Sequence, residues 1–260
     1  MRAHVATGLV LAGLVASTLS GWANAESTLS WTTGLDYSSG EYGSANTTEI
    51  WYVPLIGRLE TGDWQFKLTV PYVRMKSPSG GVIIGYDANG TPIRSGVGTP
   101  VTESGLGDVV ASATYALLAR PGLLLDLTAK LKFGTASVDK GLGTGENDVG
   151  MVLDAYFPMG KATPFLSLGY KRPGDPAGQS LRNTWQVGGG IAYKVSDMWS
   201  TGAMYDWRSA ASVAGSPQRD LMLYAVYKPV PDWKVQAYAS KGFSDASADY
   251  GVGLMVSRSY

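Results

Sequence analysis

Apolar and polar residues alternate one by one through segment after segment of this chain. In residues 64–72 and 125–133 every second residue is apolar, and those between are mostly polar. Residues 185–193 and 233–239 show a similar alternation. Successive side chains of a β-strand point to opposite faces, so each segment has one apolar and one polar face. Each run is about 10 to 13 residues long, enough for a tilted strand to cross a bilayer.

This pattern predicts an all-β fold, namely a transmembrane antiparallel β-barrel of about 12 strands in an up-and-down meander. The strands are expected near residues 28–38, 47–58, 63–73, 105–118, 122–134, 147–157, 162–172, 183–195, 198–208, 219–228, 232–242 and 249–260. An even number of strands places both ends of a single-chain barrel on the periplasmic side.

The connections between these segments alternate in length, which is independent support for a barrel. The short ones are residues 59–62, 119–121, 158–161, 196–197 and 229–231. The long ones are rich in Gly, Ser and Pro and comprise residues 39–46, 74–104, 135–146, 173–181 and 209–218. Residues 243–247 are short for their class. Short periplasmic turns that alternate with long outer loops are typical of outer-membrane barrels.

The first 25 residues predict a cleaved secretory signal. Arg2 precedes an apolar run that is too short for a membrane helix, and Ala23-Asn24-Ala25 has the small-x-small pattern of a cleavage site. Residues 26–260 are then expected to form one barrel domain. Removal of Arg2 changes the formal charge from 0 to −1, which gives no electrostatic reason to expect a nucleic-acid partner.

The chain lacks the residues that most hydrolytic and zinc chemistry requires. It has no Cys, and its one His, His4, lies in the predicted signal. Ser-His and Cys-His catalysis and His- or Cys-ligated zinc are therefore excluded from the mature protein. Only chemistry based on carboxylates alone stays open. Residues 141–145 are glycine-rich, but a strand pattern follows them, which favours an outer loop over a phosphate-binding loop. We expect no enzymatic activity, cofactor or metal.

Four short motifs carry a family resemblance. They are residues 104–109 (SGLGDV), 143–150 (GTGENDVG), 241–245 (KGFSD) and 249–253 (DYGVG). Together they resemble the outer-membrane family of the MetA pathway of phenol degradation. The resemblance implies an outer-membrane barrel with a proposed role in the passage of small molecules, aromatic compounds among them. It supplies no catalytic residues. The aromatic last strand, which ends at Tyr260, also resembles the signal that the barrel assembly machinery recognises.

If the apolar faces contact lipid, the polar faces line the lumen. The predicted lumen-lining residues are Asp36, Arg58, Lys67, Asp126, Lys130, Lys132, Asp154, Lys171, Lys194, Asp206, Arg208, Asp220 and Lys234. Together with Asp108 and Asp249, which are also expected inside, they give eight bases and seven acids, so the charges nearly balance. Such charges can form a paired scaffold or a conduit with acidic and basic walls. Asp108 and Asp148 are candidates for a carboxylate pair at the pore mouth, able to hold a cation such as Ca²⁺, or for groups that tie down loops.

Two functions from different classes remain. One is a channel or transporter that passes small solutes through a narrow charged lumen. The other is a structural or adhesive barrel, sealed inside, whose outer loops bind a partner. Twelve strands fall between filled barrels and open porins. Interior glycines such as Gly188, Gly190, Gly202, Gly251 and Gly253 are expected to leave room on one side of the bore. The loop 74–104 is long enough to fold inward, and its apolar residues 82–86 fit a hairpin or a constriction.

Overall fold

The fold was examined in a computed structural model of the chain. It describes residues 27–44, 46–79, 82–87, 89, 91–95, 98–176, 181–213 and 215–260. The predicted signal segment 1–25 lies outside the described residues. Within the described part of the chain, no helix is long and apolar enough to cross a membrane.

The described residues form fifteen strands. Their bounds are β1 (Thr28–Gly40), β2 (Thr48–Thr61), β3 (Trp64–Pro78), β4 (Val82–Tyr86), β5 (Pro92–Ser95), β6 (Pro100–Leu106), β7 (Val109–Arg120), β8 (Leu123–Phe133), β9 (Asp148–Tyr156), β10 (Ala162–Arg172), β11 (Thr184–Lys194), β12 (Trp199–Arg208), β13 (Gln218–Val230), β14 (Trp233–Gly242) and β15 (Tyr250–Ser259).

Thirteen of these strands build one closed sheet, and β4 and β5 form a separate hairpin. Strands β6 and β7 lie end to end along β3, with Tyr72 opposite Leu106 and Trp64 opposite Tyr115. They therefore occupy one position in the wall, which has twelve positions across the described residues. The first strand pairs with the last, β1 with β15, so no edge is left open. The predicted twelve-stranded antiparallel meander is confirmed.

The connections between the strands alternate between short and long, as predicted. Tight turns at 62–63, 121–122, 157–161, 195–198 and 231–232 lie at the end of the barrel where β1 begins and β15 ends. Gly62 and Gly122 have φ values of 54° and 81°, a left-handed conformation that suits glycine in such turns. The longer connections lie at the other end. Because short turns face the periplasm, that other end is the extracellular one.

The outer face of the wall is apolar over its whole circumference. Leu55, Leu166 and Leu223 are more than half exposed, and many other aliphatic side chains of the strands are more than one-third exposed. Aromatic pairs lie at both ends of this band. Near the periplasmic end are Trp64–Tyr115 and Trp199–Tyr227, and near the extracellular end are Tyr37–Trp51 and Tyr170–Trp185. An aliphatic band between two aromatic girdles is the surface of a barrel embedded in lipid.

Three of the interior glycines do not widen the bore as the sequence suggested. The Phe165 ring lies against Gly190, the Tyr224 ring against Gly202, and the Tyr238 ring against Gly253. A Cβ at any of these glycines would collide with the neighbouring ring. The prediction of room was wrong at these three glycines, because bulky side chains of adjacent strands fill the space that glycine leaves. At Gly188 and Gly251 the nearest side-chain neighbours of such a Cβ are the smaller polar groups of Asp206 and Ser240.

Candidate functional site in the barrel lumen

Twelve of the thirteen predicted lumen-lining side chains lie on the inward face of their strands. Six of them are buried, namely Asp36, Arg58, Asp126, Lys132, Asp154 and Asp206. The other six are partly buried, namely Lys67, Lys130, Lys171, Arg208, Asp220 and Lys234. Period-2 alternation locates them because one wall position in two must face inward.

Lys194 differs from its predicted position. It is the last residue of β11, and its amine lies 2.7 Å from the carboxylate of Asp197 in the following turn. About half of its side-chain surface is exposed. The hydrogen bond from Lys194 lowers the pKa of Asp197. Lys194 therefore belongs to the periplasmic rim rather than to the enclosed lumen, since a strand end has no wall beyond it.

The β4–β5 hairpin folds into the extracellular half of the barrel. The Gln218 amide of β13 donates to the Tyr86 carbonyl at 2.6 Å, and Arg208 of β12 donates to the Asp87 carbonyl at 3.3 Å. Farther around the wall, the Asn89 amide donates to Asp36 of β1 at 3.0 Å. Ile93 is fully buried. The hairpin is thus held from several sides by polar contacts.

The hairpin tip is a compact turn built around Asp87. Its Oδ1 accepts hydrogen bonds from the backbone N–H groups of Asn89 (2.9 Å) and Thr91 (2.7 Å). Asp87 lies in the hairpin, outside the strands that span the membrane. Burial, reinforced by the charge of Asp36, raises the pKa of Asp87 to about 7, against the opposing effect of these hydrogen bonds.

The two predicted pore-mouth carboxylates meet at one amine. Lys132 Nζ lies 2.8 Å from Asp108 and 3.5 Å from Asp148, which also binds Lys171 at 3.0 Å. Asp108 accepts the Ala136 N–H, and Asp148 accepts the Gly174 N–H. Among the described residues, no cluster of three or more metal-ligating side chains occurs. This geometry ties two outer loops to the wall, and Lys132 supplies the positive charge between the carboxylates.

A second ion-pair network lies across the lumen on β12 and β13. Arg208 contacts Asp206 at 3.1 Å and Asp220 at 3.7 Å. Gln186 also donates to Asp206, at 3.0 Å. Asp206, Arg208 and Asp220 were all predicted from alternation, but their mutual pairing was not, because it depends on strand register.

Among the described residues, two cavities of the upper lumen lie beside the hairpin. The larger, of about 130 Å³, lies between Tyr86 and the wall of β8 to β12. The smaller, of about 60 Å³, lies on the side of β1 and β12 to β15 and includes Asp36 and Tyr238 in its lining. Tyr238 donates a hydrogen bond to Asp36. The hairpin thus narrows the lumen and leaves polar space on both sides.

The periplasmic half of the lumen has a different electrostatic character. Arg58 on β2 lies directly opposite Lys67 on β3, and Lys234 on β14 lies on the same side of the barrel. Arg58 has Glu60 at 3.7 Å, whereas Lys67 and Lys234 have no carboxylate within 4.0 Å among the described residues. On another sector, Asp126 of β8 is opposite Asp154 of β9. The wall therefore has separate basic and acidic sectors.

Sequence reasoning missed the partners of the hairpin, chiefly Tyr86, Asp87, Asn89 and Gln218. A signal for the hairpin was present, because the apolar residues 82–86 are unusual in a surface loop. The contacts of its tip with β1, β12 and β13 join residues far apart in the chain, and no local pattern encodes them.

A closed barrel with a lipid-facing band, two girdles and a charged interior defines the class: this is an outer-membrane β-barrel protein of a Gram-negative bacterium. Residues 37–259 match the protein family described as MetA-pathway of phenol degradation. The chain belongs to that family, as its motifs suggested. A search of curated protein sequences gave no significant match.

Solved structures share the fold at low sequence identity. The COG4313 outer membrane channel from Pseudomonas putida F1 matches 91% of this chain and 96% of its own, with 14% identity and a TM-score of 0.65. The NanC porin covers 88% of this chain and 98% of its own, with 12% identity and a TM-score of 0.58. The KdgM porin covers 90% and 99%, with 10% identity and a TM-score of 0.51.

Proposed function

We propose that this protein is a narrow outer-membrane channel for small solutes, with an aperture set by the β4–β5 hairpin. The observation that carries the proposal is the hairpin itself. It stands inside a closed, charged barrel and leaves cavities of about 130 and 60 Å³ on its two sides. A barrel that served only as a scaffold has no need of polar space on both sides of an inserted segment.

The contacts of the hairpin suit a constriction that moves. Hydrogen bonds from Gln218, Arg208 and Asn89 hold it. A typical intramolecular hydrogen bond contributes only about 0.5–1.5 kcal/mol, because water replaces it when it breaks. Water in the lumen can therefore take over these contacts when the hairpin shifts, and the passage widens without disruption of the wall.

The neighbours in fold and the residue content both support transport rather than catalysis. Proteins named as a channel and as porins share the architecture. The mature chain has neither His nor Cys for acid–base or nucleophilic chemistry. We assign it no cofactor. Its partners are outer-membrane lipid, the assembly machinery that reads the aromatic last strand, and a small solute, for which the family description favours aromatic compounds. Residues 1–25 act as the export signal in this proposal.

The alternative is a sealed barrel whose outer loops bind a partner. The burial of Tyr86 and Ile93 inside the lumen favours it, because both side chains fill space that a wide pore would need. Ion conductance distinguishes the two functions.

A reversible lock on the hairpin tests the channel. The chain has no Cys, so Asp36→Cys together with Asn89→Cys places a unique thiol pair across the contact that holds the tip. We expect steady openings in a planar bilayer, their loss after treatment with a short bifunctional methanethiosulfonate, and recovery with a reductant. Asn89→Cys alone, treated identically, should keep its openings. Silence of the wild-type barrel, and of a variant in which a short Gly-Ser linker replaces residues 80–98, would favour the sealed alternative.

A further inference from the structure

Four cations lie along a single row of paired residues in the wall. The pairs are Arg58 with Lys67, Lys67 with Ser112, Ser112 with Lys130, Lys130 with Gly150, and Gly150 with Lys171. The row thus crosses β2, β3, β7, β8, β9 and β10, and between its cations lie only the small residues Ser112 and Gly150. We call these six residues the basic row.

The basic row climbs through the barrel. Arg58 and Lys67 each lie three residues from the turn at 62–63, near the periplasmic end of β2 and β3. Lys130 lies in the upper part of β8, and Lys171 is next to the last residue of β10 at the extracellular end. Strands in a barrel tilt, so a row perpendicular to them rises along the barrel axis. The row therefore connects the periplasmic opening with the larger cavity under the hairpin.

The two cations in the middle of the row, Lys67 and Lys130, lack a direct ion pair, although the carboxylates of Asp154 and Asp206 attract Lys130 from beyond 4.0 Å. Arg58 has Glu60, and Lys171 has Asp148, which it shares with Lys132. Lys67 and Lys130 form no ion pair within 4.0 Å with any described residue. Partly buried charge without a partner is costly unless water or another ion satisfies it. A diffusible anion is such a partner.

The upper end of the row is a pocket with an open floor. Lys130 and Lys171 flank Gly150, and all three line the cavity of about 130 Å³. A Cβ on Gly150 would lie 3.3 Å from the Tyr170 carbonyl oxygen and 3.8 Å from the Lys171 Cβ, so backbone rather than a bulky side chain forms the floor between the two amines. Tyr86 closes the pocket from the hairpin, with the Lys171 amine 3.6 Å from its ring centroid.

The rest of the lining sets the shape of the occupant. Val110 and Val152 contribute apolar surface beside the amines. An apolar cavity of about 150 Å³ holds benzene in another protein, so this space suits one six-membered ring. Asp148 also lines the cavity and pairs with Lys171 at 3.0 Å, so the Lys130 amine is the site cation without an ion pair within 4.0 Å among the described residues. The pocket thus places this amine beside room for a compact apolar body.

We propose that Lys130, Gly150 and Lys171 form a binding site for a small carboxylate anion with an apolar body about the size of one six-membered ring. The inference rests on the proposed channel and deepens it by assigning the charge of its solute. The carboxylate binds between the two amines over Gly150, and its body packs between Tyr86 and the valines. Charge is the main determinant, so an uncharged molecule of the same shape binds far more weakly.

Benzoate and benzyl alcohol, which differ mainly in charge, test the site. We expect benzoate to reduce the open-channel current at concentrations at which benzyl alcohol has no effect. Lys130→Gln should raise the half-blocking benzoate concentration at least tenfold. Gly150→Val keeps both amines, fills the floor and should weaken the block similarly. Lys241→Gln, at an exposed position of β14, is the matched control, and benzoate should block it at the same concentration as the wild type.

The outcomes separate the site from the channel. Two results would overturn the site and leave the channel intact. In one, the channel opens steadily and both compounds reduce its current equally. In the other, benzoate reduces the current of the Lys130→Gln variant as strongly as that of the wild type. If the barrel conducts nothing, titration calorimetry on the folded protein in detergent decides the site alone. The site is supported if benzoate binding releases or absorbs heat with the wild type and with Lys241→Gln but not with Lys130→Gln. It is refuted if benzoate gives no heat of binding with the wild-type protein.

Discussion

The two halves of the lumen use charge in opposite ways. In the extracellular half, Lys132 is clamped between two carboxylates, and the β4–β5 hairpin fills much of the remaining space. In the periplasmic half, Lys67 and Lys234 face the lumen without a carboxylate within 4.0 Å among the described residues. Where side chains crowd out water, an unpaired charge is costly, so charges are paired. Where water has access, a cation stays hydrated and available to a solute. The upper half therefore combines a paired scaffold with the proposed solute site, and the lower half presents cations without ion pairs.

The largest expected effect comes from removal of the amine that joins the upper scaffold. Lys132→Met leaves Asp108 and Asp148 buried without their shared partner, and loss of one member of a buried ion pair costs about 3–5 kcal/mol. The outer loops at 134–147 and 173–183 should loosen. The measurement is the urea dependence of unfolding, together with the rate of proteolysis in these loops.

Lys76→Met provides the matched control for Lys132→Met. Lys76 forms an exposed pair with Glu49 at 2.9 Å, and exposed pairs contribute only about 0–1 kcal/mol. Equal destabilisation by the two substitutions would show that the upper lumen is as wet as the outer surface, and the contrast between the halves would disappear.

A smaller effect is expected from pH, through the hairpin. Because burial raises the pKa of Asp87 to about 7, the docked hairpin binds its proton more tightly than the released one, in which the pKa returns to about 4. Docking is thus most stable below pH about 4 and weakens as the pH rises to about 7, above which this contribution is constant. Conductance should rise over that pH interval. In Asp87→Asn the conductance should depend less on pH, because the amide does not titrate. A wild-type profile that falls with rising pH would contradict this coupling.

The smallest effect is expected in the lower lumen. Lys67→Gln removes a cation that pairs with nothing nearby, so assembly and stability should not change. The reversal potential in a salt gradient should shift by a few millivolts toward greater cation preference, because a fixed positive charge favours anions. Lys241→Gln should leave it unchanged. A stability loss like that of Lys132→Met would show that Lys67 belongs to a scaffold after all.

The sequence determines the wall almost completely. Alternation located the twelve strand positions of the wall, and Trp64–Val70 is typical, with its apolar residues outside and its polar ones inside. The strands β4, β5 and β6 fall in or near the predicted loop 74–104 and were not predicted. The boundaries were less exact. Strand β3 continues past its predicted end at residue 73 to Pro78, because β6 pairs with its outer part. The predicted strand 105–118 is in fact β6 and β7, interrupted at Gly107 and Asp108.

The site was only partly predictable, for a geometric reason. Which side chains face inward follows from period 2, but which of them meet depends on the stagger between strands. Nothing local in the sequence brings Lys132 to Asp108 and Asp148, or Asn89 to Asp36. The same holds for the rings beside Gly190, Gly202 and Gly253, which come from neighbouring strands.

The basic row also winds around the barrel axis. From β2 it passes to β3, β7, β8, β9 and β10, five of the twelve strand-to-strand steps of the barrel. A solute that follows these amines turns through nearly half of the circumference about the barrel axis as it moves toward the extracellular end. A two-residue shift of register in one of these strand pairs would keep every side chain on its face of the wall, but it would interrupt the basic row at that pair.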